Sequence, residues 1–203
     1  MFFKDFYNSK LNKVLAIFMV ASVISGCGFS PEKAQTSTLQ LLEDGTITQI
    51  IVDSFEKSNY DFDELQKMAS SEVTAFNIAY GEDSAVINSL VQEDTGVRSI
   101  MTFASDEIYE EFNGETFFYG TVNEMLDAGY SLPGDLVTAD GDAIDADTFY
   151  DKEEQHVIVL SERINIVTPY KIEYMSNGAE LVNSKEADLS GVSDSLIFLL
   201  LVK

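Results

Sequence analysis

Four carboxylates crowd into the run Asp140-Gly-Asp142-Ala-Ile-Asp145-Ala-Asp147. Carboxylate oxygens are the hard ligands calcium prefers, so this run is the chain's candidate cation site. It departs from the EF-hand order. With Asp140 at loop position 1, Ile144 falls at position 5 and Asp145 at position 6, where that loop needs glycine. The alternative is a hairpin turn at Asp140-Gly141 followed by a solvated acidic strand.

His156 is the only histidine. A serine triad would have to use it, yet no Gly-x-Ser-x-Gly elbow occurs. The apolar run Val157-Ile-Val-Leu160 behind it predicts a place at the head of a strand. One histidine and one cysteine cannot furnish a typical zinc site. Ser-x-x-Lys, the nucleophile–base spacing of penicillin-binding enzymes, occurs at Ser54–Lys57 and again at Ser30–Lys33, without Ser-Asp-Asn or Lys-Thr-Gly. Ser54 is expected to end a strand. Carboxylate pairs suited to glycosidase chemistry are abundant, but the chemistry depends on their separation and burial, and no tryptophan offers a sugar platform.

Charge narrows the partners. The chain has 35 acidic and 12 basic residues, a formal charge of −23. Nucleic acid is excluded, because phosphate binding needs clustered Lys and Arg. Direct adhesion to an anionic bilayer is equally disfavoured. The field favours cations and basic peptides, and it keeps a surface domain soluble.

The elements that position these groups begin with an N-terminal leader. Lys4, Lys10 and Lys13 precede an apolar run from Val14 to Ile24, and small residues then lead to Cys27. That run is too short to span a bilayer, which takes about 20 residues; its order is that of a secretory signal peptide. Ile24-Ser25-Gly26-Cys27 resembles the lipobox of bacterial lipoproteins. The resemblance implies cleavage before Cys27, a diacylglyceryl group on its thiol and often an acylated new amino terminus. The domain would then sit on the extracytoplasmic face of the cell membrane, held by lipid alone. Two or more acyl chains anchor stably where one does so marginally.

Removing residues 1–26, with three lysines and one aspartate, leaves 177 residues bearing nine basic and 34 acidic side chains. That length buries a sufficient core without metal or disulfide, and the lipidated chain has no free thiol. Residues 27–37 are small and polar, predicting a tether of at most about 30–35 Å. Residues 38–203 read as a single domain, with a candidate subdomain boundary near 131–135 at Leu132-Pro-Gly-Asp135.

Within the domain, Asp44-Gly45 between two β-rich runs predicts a type I′ hairpin. Asp61 and Glu64 have capping-box spacing ahead of a helical face of Leu65, Met68, Ala69, Val73, Phe76 and Tyr80, closed at Gly81. A second hairpin, Val86–Val91 with Val97–Ala104, leads to a helix capped by Ser105 and stopped at Asn113-Gly114. Glu115–Tyr119 reads as a strand, and Thr121 with Glu124 opens a short helix. Thereafter β signals dominate: Asp135–Ala139, His156–Leu160, Ile164–Thr168, Tyr170–Met175, Ala179–Val182 and Leu196–Val202. Asn177-Gly178 predicts a hairpin between two of these, and Pro169 a break. The fold class is α+β, a largely antiparallel sheet with hairpin–helix units in the N-terminal half and a β-rich C-terminal half.

Asp44-Gly45-Thr-Ile-Thr, Ile51-Val-Asp-Ser-Phe55, Tyr60–Leu65, Glu115–Gly120 and Asp127–Tyr130 resemble uncharacterised surface lipoproteins of anaerobic Gram-positive bacteria. That resemblance carries over no functional residue except Cys27. The expected function is a non-enzymatic, lipid-anchored domain that binds or scaffolds a protein or cationic ligand. The alternatives are calcium binding through Asp140, Asp142, Asp145 and Asp147, and a small carboxylate-dependent hydrolase.

Overall fold

The computed structural model describes residues 29–54, 61–94, 96–144 and 152–203. The fold is α+β and built mainly from two sheets. In chain order the elements are β1 (Thr38–Leu41), β2 (Ile47–Ser54), α1 (Phe62–Tyr80), β3 (Ala85–Glu93), β4 (Gly96–Phe103), α2 (Asp106–Asn113), β5 (Phe117–Thr121) and α3 (Val122–Asp127). The C-terminal half adds β6 (Val137–Thr138), β7 (His156–Leu160), β8 (Asn165–Val167), β9 (Lys171–Met175), β10 (Glu180–Asn183), β11 (Glu186–Asp188) and β12 (Ile197–Val202).

One sheet has seven strands in the order β10-β11-β8-β1-β2-β4-β3; the other has five, β5-β7-β12-β9-β6. Every pairing is antiparallel except β1 with β8. Alternation of side chains along the strands assigns the layers. Leu39, Leu41 and Ile47 of the larger sheet meet Ile158, Leu160 and Leu199 of the smaller one in a common core. The alternate residues Val157, Val159, Phe198 and Leu200 turn to the far face of the smaller sheet, where Val122 and Met125 of α3 cover them. β7 and β12 are therefore buried on both faces, which explains their unbroken apolar runs. Each such side chain contributes roughly 1.5–3 kcal/mol on burial.

The two hairpins lie side by side, β2 against β4. An aromatic chain then ties the layers together. Phe103 of β4 meets Tyr109 of α2 edge-on at 5.2 Å, and Tyr109 meets Phe117 of β5 at 5.4 Å. Phe76 of α1 joins through Phe112 at 5.0 Å. Among the described residues, no helix is long and apolar enough to cross a membrane.

Several sequence expectations need correction. The Asp44-Gly45 hairpin exists, but only Gly45 has a positive φ, +88°. Gly45 N donates to Leu42 O and Leu42 N to Thr46 O, so the turn is the longer form with one left-handed glycine. The Asp140-Gly141 turn repeats that pattern, with Gly141 N donating to Thr138 O and Thr138 N to Asp142 O. Asn177-Gly178 does not make a hairpin. β9 lies in the five-stranded sheet and β10 in the seven-stranded one, so this turn carries the chain between sheets. Only Gly178 has a positive φ there, whereas a type I′ hairpin needs two such residues.

The tether is corrected too. Its described part, residues 29–37, does not hang free. Pro31–Lys33 form a 3₁₀ turn, and Ala34, only 7% exposed, packs with Phe29 on Ile50 and Ile100 at the outer face of the larger sheet.

Candidate functional site

Three short elements converge on the candidate site. Ser105 starts α2, its hydroxyl accepting from Ile108 N at 3.3 Å, and Gly114 ends it in the left-handed region. One side of α2 is apolar and sunk against the aromatic chain; Asp106, Glu107 and Glu110 occupy the other. The i, i+4 spacing stacks Asp106 and Glu110 on one face. Thr121 and Glu124 form a complete capping box that starts α3 directly after β5. The space between α2, β5 and α3 is a cleft of about 420 Å³, lined by Asp106, Glu107, Glu110 and Glu124 beside Phe118, Tyr119 and Tyr130.

β5 is an edge strand, and two of these carboxylates close its edge. Asp106 Oδ2 accepts from Tyr119 N at 2.8 Å, and Glu124 Oε2 accepts from Thr121 N at 2.7 Å. Side chains thus take backbone donors that another strand would otherwise pair. Gly120 makes this possible. A Cβ there would lie 2.8 Å from Phe118 Cζ and 2.9 Å from Glu124 Oε2.

The electrostatics are uneven. Burial pushes the Asp106 carboxyl from 3.8 up to about 6, opposed by the Tyr119 N–H and reinforced by the Glu107 charge. Glu107 is held below the usual carboxylate range, chiefly by the Ser105 hydroxyl at 2.7 Å. Glu124 is also lowered, by the Thr121 backbone first. The Tyr130 phenol is raised by burial, then by Glu110 and Asp106. Concave negative charge over aromatic walls favours a cationic group.

The sequence candidates lie elsewhere. Asp140 and Asp142 stand exposed on the β6 hairpin, while Asp145 and Asp147 lie outside the described residues, as does Cys27. Among the described residues, no three His, Cys, Asp or Glu side chains gather as a metal site would require. Ser54 ends β2 as expected; Lys57 is outside the described residues. His156 begins β7, its ring stacked on Tyr119 at 5.4 Å and 5.5 Å from Tyr170. Among the described residues, its buried Nδ1, which a triad carboxylate would engage, has no hydrogen-bond partner. That geometry is not a triad.

A second polar cluster is buried behind α2. Tyr109, fully buried, donates its hydroxyl to Glu162, while Gln49 Nε2 donates to that hydroxyl at 3.1 Å. Burial raises the Glu162 carboxyl, with Glu115 adding to the rise. These groups satisfy one another where the core meets the half-buried Glu162. Of the cleft carboxylates the sequence singled out only Glu124, as a capping-box residue, because their convergence depends on how α2 and α3 pack against β5.

The chain matches no protein-family model, no curated protein and no solved structure in the comparisons made.

Proposed function

We propose that this protein is a lipoprotein anchored by lipid at Cys27 on the extracytoplasmic face of the cell membrane. Its globular domain binds a positively charged partner, such as a basic peptide, without chemical turnover. The anchor rests on the leader and its lipobox. The binding role is carried by one observation, the α2–β5–α3 cleft with four carboxylates against aromatic walls. Asp106 and Glu124 are engaged by β5 backbone donors, so Glu110 and Glu107, whose Oε2 also accepts from Ser105, are the principal recognition charges.

Calorimetry of the mature domain with a lysine- and arginine-rich peptide tests the reading. Saturable binding is expected, weakened at least several-fold by Glu107→Gln with Glu110→Gln and falling with salt. An equal affinity for the double variant, or no binding, would contradict it.

A second reading, a carboxylate-dependent hydrolase, draws on the raised Asp106 beside the lowered Glu107. Carboxylates split in this way can serve as acid and base. Reproducible turnover of a glycoside or ester panel, lost in Asp106→Asn, would favour it over simple binding.

A further inference from the structure

We infer that residues 29–37 clamp the lipid anchor to the outer face of the seven-stranded sheet, so that this face lies against the bilayer and α3, beyond the second sheet, lies away from it. The inference rests on the reading that Cys27 carries lipid, and it adds an orientation which that reading does not contain.

The clamp is made of named contacts. Phe29 and Ala34 pack with Val52 on Ile50 and Ile100. Arg98, 7% exposed, donates Nη1 to Ala34 O, while its Nε and Nη2 hold Glu93 at 2.7 and 3.1 Å. Ser37 brackets β2, accepting from Val52 N at 3.1 Å and donating to Val52 O at 3.3 Å. Asn165 Nδ2 donates to Thr36 Oγ1 at 3.2 Å. The described part of the expected tether, residues 29–37, is thus held along its length.

Covalent geometry does the rest. Only Gly28 separates Cys27 from the packed Phe29, so the leash extends at most about 7 Å. That is shorter than the screening length of about 10 Å in 0.1 M salt. The domain cannot retreat from the headgroups, whatever its charge; it can only choose which side to present. The clamped face carries Glu32 and Lys33, one charge of each sign, in the linker itself. The cleft borders the free edge of β5, with Asp106, Glu107 and Glu110 on α2 and Glu124 on α3, and α3 covers the far face of the second sheet. Sheets stack about 10 Å apart and helices at a similar spacing, which puts α3 roughly 20 Å beyond the clamped sheet.

The test uses the full chain, processed and lipidated in its native host, then reconstituted in vesicles containing phosphatidylcholine with a quencher on its headgroup. Because Cys27 is the only native cysteine and its thiol is blocked by lipid, one added cysteine can carry a fluorophore. Gln35→Cys labels the clamp; Leu126→Cys, at a site 49% exposed on α3, labels the far side. Quenching several-fold stronger at position 35 than at 126 is expected. A flexible Gly-Ser insertion of about 20 residues between Gly28 and Phe29 spans about 25 Å and should equalise the two. Equal quenching in the uninserted chain, or a difference that survives the insertion, overturns the clamp. Mass spectrometry of the same samples separates the two failures. Acylated Cys27 with equal quenching sinks the orientation alone; unacylated Cys27 sinks the anchor and the orientation together.

Discussion

The side-chain amide of Asn77 engages both backbone groups of Ala85, donating to its carbonyl at 2.8 Å and accepting from its N–H at 2.9 Å. Asn77 stands on α1 and Ala85 opens β3, the edge of the seven-stranded sheet. Asp106 and Glu124 do the same kind of work at β5, the edge of the other sheet. In all three places a side chain stands where a neighbouring strand would bond.

Replacing Asn77 with Ala should therefore do more than remove surface polarity. α1 has no fully buried side chain, so its attachment depends on Asn77 together with the half-buried Val73 and Phe76. We expect Asn77→Ala to destabilise by about 1–3 kcal/mol, the cost of leaving inward backbone groups unpaired. Urea unfolding measures the loss, and faster hydrogen exchange at Ala85 N localises it. Unchanged exchange at that amide would refute the role.

Asp106 predicts an inverted pH dependence. Its folded pKa, about 6, lies above its ordinary value of 3.8, so the folded state holds the proton more tightly. Its contribution is fully favourable below 3.8 and is lost as pH rises through about 6. Asp106→Asn should stabilise the domain at pH 7, because the amide oxygen can still accept from Tyr119 N. It should also flatten the pH response between 4 and 6, read from the melting temperature. A variant less stable than the parent at pH 7 would contradict this.

His156 has the opposite sign. Burial and the nearby Lys203 push its pKa below the ordinary 6.5, against smaller opposing effects of Glu124 and the Gly120 backbone. The unfolded chain then binds the proton more tightly, so stability is complete above 6.5 and falls as pH drops through the folded value. NMR titration of the ring should give a midpoint under 6.5. His156→Gln should remove this acid sensitivity without affecting the Asp106 response.

The Tyr109–Glu162 pair makes a thermodynamic prediction. Tyr109→Phe leaves the half-buried Glu162 carboxyl and Gln49 short of a partner, and should cost about 1–3 kcal/mol. Combining it with Glu162→Met should cost less than the two single changes added together. A double-mutant cycle measures that coupling, and strict additivity would refute it.

Local chemistry was legible in the sequence and long-range pairing was not. Asp61, Ser105 and Thr121 each cap a helix as their spacing implied, because a cap is decided within four residues. The runs His156–Leu160 and Leu196–Val202 read correctly as strands. β11 escaped notice because Glu186-Ala-Asp188 is short and acidic, and it pairs only through the distant β8 and its neighbour β10. The division of β9 and β10 between sheets, and the parallel pairing of Thr38 with Asn165, likewise leave no local pattern. The packed linker was hidden for the same reason. Phe29 and Ala34 look unremarkable until Ile50, Ile100 and Arg98 come together beneath them.

The anchor is the claim on which the localisation and the orientation rest, and intact-mass analysis of protein extracted from its native cell envelope addresses it directly. The expected species begins at Cys27 and carries a diacylglyceryl thioether there. A chain that still begins at Met1, or one with an unmodified thiol at residue 27, would contradict the account.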